Sequence, residues 1–272
     1  MEIQWALVMF TVVSGAGAWL FAGSMVAALA GKGELPTKLE SIVAFALVAV
    51  GGCLSVLHLK HVDRILEALN HPTSGIFVEA AMIGVLCVLI AVYFIMLQRG
   101  ASRGGLKVVG VIAAIVGAVF TFACGNSYMM EARPAWVTIT LPLAYFGTAA
   151  SAGAGLHLLM KAAQKQGDAA VSFAGVLAAA GGVLGCVLAA AFCISSASWV
   201  AQADGALALV VALFVACVVC IAAGAVAVKR TQSGVALGVV AFAAGVAAAI
   251  LLRVVMWIIG SPILNFFLMP LE

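Results

Sequence analysis

The chain has 272 residues, of which 66% are hydrophobic and 8% charged, with a mean hydropathy of +1.26; soluble domains average about 45–50% apolar and about 25% charged. These values exclude a water-soluble protein, and a net charge of +3 from 13 basic and 10 acidic residues is too weak and too dispersed for nucleic-acid binding. At about 20 apolar residues per crossing, the length holds about eight helical spans with short loops, so chemistry needing a large soluble active site belongs to another chain.

The uncharged runs predict an all-α integral membrane bundle, one membrane domain over residues 1–272, with spans near 4–30, 41–59, 75–98, 108–130, 135–160, 171–193, 205–228 and 234–257. A barrel would instead alternate polar and apolar residues over about ten positions. Glu2 is the only charged residue before Trp5, so the first span lacks a basic leader and is read as a retained helix, not a signal peptide. The second span ends at His58, and the loop behind it carries His61, Asp63, Arg64, Glu67 and His71. Glu79 sits one turn inside the third span, and Asn126 and Ser127 close the fourth. The run from Ala169 to Ala203 is long, and its last ten or so residues, with Ser195, Ser196 and Ser198, are predicted to form a loop. The last span contains Arg253 about nineteen residues in, roughly 28 Å from its start at 1.5 Å per residue.

Orientation follows from the basic residues. Loops after odd spans carry Lys32, Lys38, Arg99, Arg103, Lys107, Lys161, Lys165, Lys229 and Arg230, nine against Lys60, Arg64, Arg133 and Arg253 on the other side. Both termini are therefore expected outside the cytoplasm, and the inner lysines and arginines are read as topology determinants. Small-xxx-small pairs such as Gly181 with Gly185 and Gly234 with Gly238 predict close helix packing. No internal repeat of the inverted-transporter kind stands out.

Most acids and histidines thus gather on the outer face. Glu79 is the sharpest residue, since a carboxylate at mid-bilayer costs about 2.5–3.5 kcal/mol on insertion scales and less near the interface. It is either a functional group or an interface glutamate reaching water or Arg64. His58, with its near-neutral ordinary pKa, can accept a proton from a bound ligand or simply face headgroups. His61 and His71 read as solvated loop residues. A bis-histidine haem is not expected, because three of four histidines crowd into residues 58–71 and His157 lies towards the other face. The seven cysteines all fall in apolar spans, where Cys behaves as a small hydrophobe. The single CxxC pair, Cys217 and Cys220, has no second pair and no polar loop, so neither a metal nor an iron–sulfur cluster is expected in this chain.

Three short patterns then carry a resemblance over the whole chain. Leu57-His58-Leu59-Lys60-His61-Val62-Asp63-Arg64, followed by Ser74 and Glu79, resembles the connection between spans 2 and 3 of the membrane anchor subunits of dimethyl sulfoxide reductase complexes, the DmsC-like family. Tyr128 followed by Ala132-Arg133-Pro134-Ala135-Trp136 is similar to that family's entry into span 5, and Leu252-Arg253-Val254-Val255-Met256 to its last span. Lys60 and Val62 stand where the family prefers Gly and Pro, and Phe77 and Val78 replace its Ser-Arg before the Glu.

The resemblance implies an anchor in a bacterial or archaeal cytoplasmic membrane that binds menaquinol and oxidises it to menaquinone. Its implied partners are an iron–sulfur electron-transfer subunit and a molybdopterin catalytic subunit that reduces an S-oxide or N-oxide in anaerobic respiration. The chain would then lack the acceptor-reducing centre and carry only the quinol-oxidation half-reaction. His58 is expected to be the first proton acceptor and Glu79 the second or an exit relay, with Arg64 holding Glu79 or Asp63 ionised. Tyr128, Arg133, Trp136 and Arg253 would line the quinol pocket or the docking surface for the cluster subunit. The alternatives are an anchor for a polysulfide or nitrite reductase type of molybdoenzyme, and a secondary transporter, which nearly bare mid-spans disfavour.

Overall fold

The computed structural model describes residues 2–57 and 74–260. Among the described residues are nine α-helices and no strand: α1 (Trp5–Leu29), α2 (Lys38–Val56), α3 (Gly75–Gln98), α4 (Arg103–Asn126), α5 (Thr140–Ala163), α6 (Asp168–Ser195), α7 (Ala197–Gln202), α8 (Ala206–Lys229) and α9 (Gly234–Ile259). All but the short α7 are long and apolar enough to cross a membrane, giving eight candidate spans. Alternate crossing puts the starts of α1, α3, α5 and α8 on one face, called here the N-terminal face.

The helices outrun the apolar runs where capping chemistry extends them. Thr37 and Glu40 form a capping box that starts α2 at Lys38, and the Ser102 hydroxyl accepts from Gly105 N–H at 3.2 Å to start α4 at Arg103. In contrast, α5 starts only at Thr140, because Pro134–Trp136 winds into a separate 3-10 turn. The serine-rich stretch predicted as a loop is helical: α6 continues to Ser195, whose hydroxyl donates back to the Phe192 carbonyl at 2.9 Å, and α7 begins two residues later. A serine that returns its hydrogen bond to its own helix satisfies its hydroxyl there, so its polarity does not mark a helix end.

Short loops make sequential helices antiparallel neighbours. The packing resolves into two four-helix groups, α1 to α4 and α5, α6, α8 and α9, each closed by contact between its first and last helix. The groups meet where α5 lies against α1 and α4. That makes α5 the central helix, with 83% of its apolar stretch buried against 17% for the peripheral α3. Small residues permit the seam. A Cβ on Gly153 would collide with the backbone of Trp19, and one on Gly245 would come within 2.7 Å of Ala152 Cα. The Gly181–Gly185 pair performs the same role against α5: Cβ atoms there would lie 3.0 Å from the Ala150 and Gly147 carbonyls.

Candidate functional site

The N-terminal face gathers five of the seven expected site residues around the ends of α3, α4, α5 and α9. His58 and Arg64 lie outside the described residues. Glu79 is the fifth residue of α3, and the Ser127 hydroxyl, at the C-cap of α4, donates to its Oε1. Gly75 makes this approach possible, since a Cβ there would come within 2.6 Å of Ser127 Cβ. The helix start is itself fixed by Ser74, whose hydroxyl accepts from Phe77 N–H at 3.3 Å.

The next residue after Ser127 opens an aromatic cluster. Tyr128, 7% exposed, has its ring 5.9 Å from Trp136, 5.6 Å from Tyr145 and 6.3 Å from Trp257, and the two tryptophans meet edge to face at 5.2 Å. Trp136 is anchored through its Nε1, which donates to the Met256 carbonyl at 2.7 Å. Arg133 covers the cluster: its guanidinium lies 4.4 Å from the Trp136 ring centre and 5.8 Å from that of Trp257, and Nη1 donates to the Gly260 carbonyl at 2.7 Å. Partial burial lowers the Arg133 pKa from its ordinary value. Burial pushes the Tyr128 phenol well above its ordinary range. Tyr145, Glu79 and Cys124 push the same way, while Arg253 opposes them. Burial thus favours the neutral form of the Tyr128 phenol.

Arg253 departs from the outer-surface position expected for it. It is 1% exposed and lies six residues before the end of α9, about 9 Å inside the bundle. Its Nε donates to Thr11 Oγ1 at 2.7 Å, and its Nη1 to Thr148 Oγ1 at 3.2 Å and the Ala249 carbonyl at 2.9 Å. The guanidinium also lies 4.0 Å from the centre of the Tyr145 ring. Among the described residues no carboxylate pairs with it, so it is a buried positive charge held by hydroxyls, one carbonyl and a ring. Tyr145, which the sequence reading did not single out, joins it to the cluster: its ring packs on Tyr128 and its hydroxyl donates to Met256 Sδ at 3.3 Å. Trp257 was missed as well. Its signal was its spacing, four residues after Arg253 on one helix.

The opposite face corrects a second reading. Lys161 is not a solvated topology determinant but is 0% exposed, its Nζ 2.8 Å from Glu40 Oε1 and donating to Oε2 at 3.1 Å. Thr37 N–H also donates to that carboxylate at 2.9 Å. One turn deeper, fully buried His157 meets Ser24 Oγ through Nδ1 at 3.1 Å, while Nε2 has no partner. A cavity of about 810 Å³ between α6, α7 and α8 has Asp204 as its one carboxylate and none of the expected site residues in its wall.

The arrangement offers a carboxylate with one oxygen held by a hydroxyl, a neutral phenol beside it, and a buried cation behind. Such a site can accept protons and tolerate transient negative charge at the edge of an apolar phase. No curated protein matches the chain. The model of the DMSO reductase anchor subunit family, DmsC, matches residues 1–259, and the chain belongs to that family.

Proposed function

We propose that this anchor subunit of a DMSO reductase-type complex is also the subunit that oxidises quinol, with menaquinol as its substrate. The carrying observation is Glu79: an ionisable carboxyl inside a span, held by Ser127 through Oε1 beside the Tyr128 cluster. Oε2 is then the oxygen that accepts the proton of a quinol hydroxyl. His58, at the end of the preceding span, serves the second hydroxyl. Oxidation of the quinol releases two protons and two electrons and leaves the quinone. The protons go to these two side chains and on to water at the N-terminal face, the face expected outside the cytoplasm from the basic-residue count.

The electrons pass to an iron–sulfur subunit, and from it to a molybdopterin subunit that reduces an S-oxide or N-oxide in anaerobic respiration. Arg133, seated on Trp136 and Trp257, forms the contact surface for the cluster subunit. Arg253 supplies positive potential to the site without touching the surface. In this reading the anchor carries one half-reaction while acceptor chemistry resides on its partners.

The test uses the whole complex in its native membrane. Glu79→Gln is expected to lower menaquinol-dependent acceptor reduction at least about a hundredfold, the scale of a lost general base. Reduction driven by an artificial dye that feeds the partner subunits directly should be unchanged. Retained menaquinol activity overturns the proposal. Loss of both activities makes Glu79 a structural residue of the complex.

A further inference from the structure

The two helices that lead to and from the proposed head site also carry a groove nearer the opposite face. It has a volume of about 260 Å³ and lies between α2 and α3, walled by Ile42 and Phe45 on one side and by Ile90, Ala91, Phe94 and Ile95 on the other. Its one polar neighbour, Ser41, is satisfied, its hydroxyl donating to the Thr37 carbonyl at 2.9 Å. Nothing in the groove can therefore recognise a headgroup, and its occupant is a hydrocarbon chain.

Its position identifies which chain. Ile90 and Phe94 follow Glu79 by eleven and fifteen residues on one helix, roughly 17 and 23 Å further into the bilayer. From Glu79 to the groove, Ala80, Gly84, Cys87 and Ala91 recur at helical spacing on α3, one stripe of small side chains. A Cβ on Gly84 would meet nothing within 4 Å, so the stripe is open there. A molecule with its polar head at Glu79 can lay a long flexible tail along this stripe of α3 towards the groove.

We infer that the α2–α3 groove seats the polyisoprenoid tail of the quinol whose head is oxidised at Glu79. This rests on the quinol reading above and adds to it a specificity element for long-tailed substrates. In a bilayer the tail leaves lipid, not water, so the groove contributes packing alone. The effect to expect is accordingly a modest one on substrate binding.

The experiment takes the whole complex in nanodiscs with a menaquinone analogue carrying a photoreactive group midway along its tail. Label is expected on the peptides holding Phe45 and Ala91 to Ile95, displaced by unlabelled menaquinol and not by excess phospholipid. Label displaced by phospholipid, or label found only in the α6–α8 cavity, overturns the inference. In a second arm, Ala91→Phe fills the groove. It is expected to raise KM for long-tailed menaquinol about three- to tenfold while leaving kcat, and both constants for a short-chain quinol, unchanged. An equal change for the two substrates overturns the tail assignment. Failure of the unmodified complex to oxidise either quinol would instead sink the quinol reading itself, so the two ideas fail separately.

Discussion

At the scale of single residues, Arg253 is the least expected feature of the bundle. A buried cation without an anionic partner costs several kcal/mol of desolvation, so it persists only where something else requires it. The hydroxyls that hold it do not depend on it: Thr148 also donates to the Ala144 carbonyl at 2.8 Å, and Thr11 reaches the Leu7 and Val8 carbonyls at 3.2 Å. Arg253→Met removes the charge, keeps most of the volume and strands no polar group. Thermal unfolding of the complex is expected to be unchanged or raised, while menaquinol oxidation falls about ten- to a hundredfold, the range for a preorganised electrostatic contact. A variant that unfolds and loses dye-driven activity in parallel would show that the guanidinium serves packing alone. The sequence displays Arg253 plainly, yet it cannot show depth. Counting residues along the span placed it near the outer face, whereas α1, α5 and α9 close around it. Glu79 was legible for the opposite reason: a carboxylate inside an apolar run at a helix start has few ways to be satisfied, and Ser127, at the cap of the next span, is one of them.

At the scale of elements, the eight spans could be read because a bilayer forces each apolar run into a helix. The contacts between them could not. Lys161 and Glu40 lie 121 residues apart, and nothing local distinguishes Lys161 from a lysine that merely marks the cytoplasmic side. Once α2 and α5 are brought together, the pair clamps the start of one to the end of the other, at 0% and 1% side-chain exposure. Removing one partner leaves an uncompensated buried charge, which typically costs about 3–5 kcal/mol. Lys161→Met is therefore expected to lower the unfolding midpoint of the purified chain in detergent substantially. The double variant Glu40→Gln with Lys161→Met should recover most of the loss, because neither remaining side chain needs a counter-charge. Equal destabilisation by the single and double variants would mean that the ion pair, not the avoidance of a lone charge, holds α2 to α5. Tyr145 and Trp257 belong to this scale too: each is one aromatic among many in an apolar helix, and only the meeting of α5 with α9 makes them neighbours of Tyr128.

At the scale of the molecule, the buried polar groups fall into two separate sets. One, with Arg253, Thr11 and Thr148, lies towards the N-terminal face; the other, with Ser24, His157, Lys161 and Glu40, lies towards the opposite face. Between them the seam of α1 and α5 is closed by backbone contact: a Cβ on Gly15 would touch Ala149 at 3.0 Å, and one on Gly153 would strike Trp19. The hydroxyls at that level are spent locally, Ser14 on the Phe10 carbonyl at 2.6 Å and Ser151 on Cys220 Sγ at 3.3 Å. Among the described residues no continuous hydrogen-bonded line joins the two sets. If quinol is oxidised at Glu79 as proposed and the partners dock on the same face, its protons would leave on that face and acceptor reduction would consume an equal number there. Charge would then not cross the membrane, and turnover is expected to be electroneutral. In sealed vesicles containing the whole complex, quinol-to-acceptor turnover is expected to generate no membrane potential, read with a potential-sensitive dye calibrated by a potassium gradient. A potential that builds with turnover and collapses on adding an uncoupler would overturn this. If His157→Phe then abolished it with turnover preserved, the imidazole, whose Nε2 has no partner, would be part of a proton path that opens during the reaction.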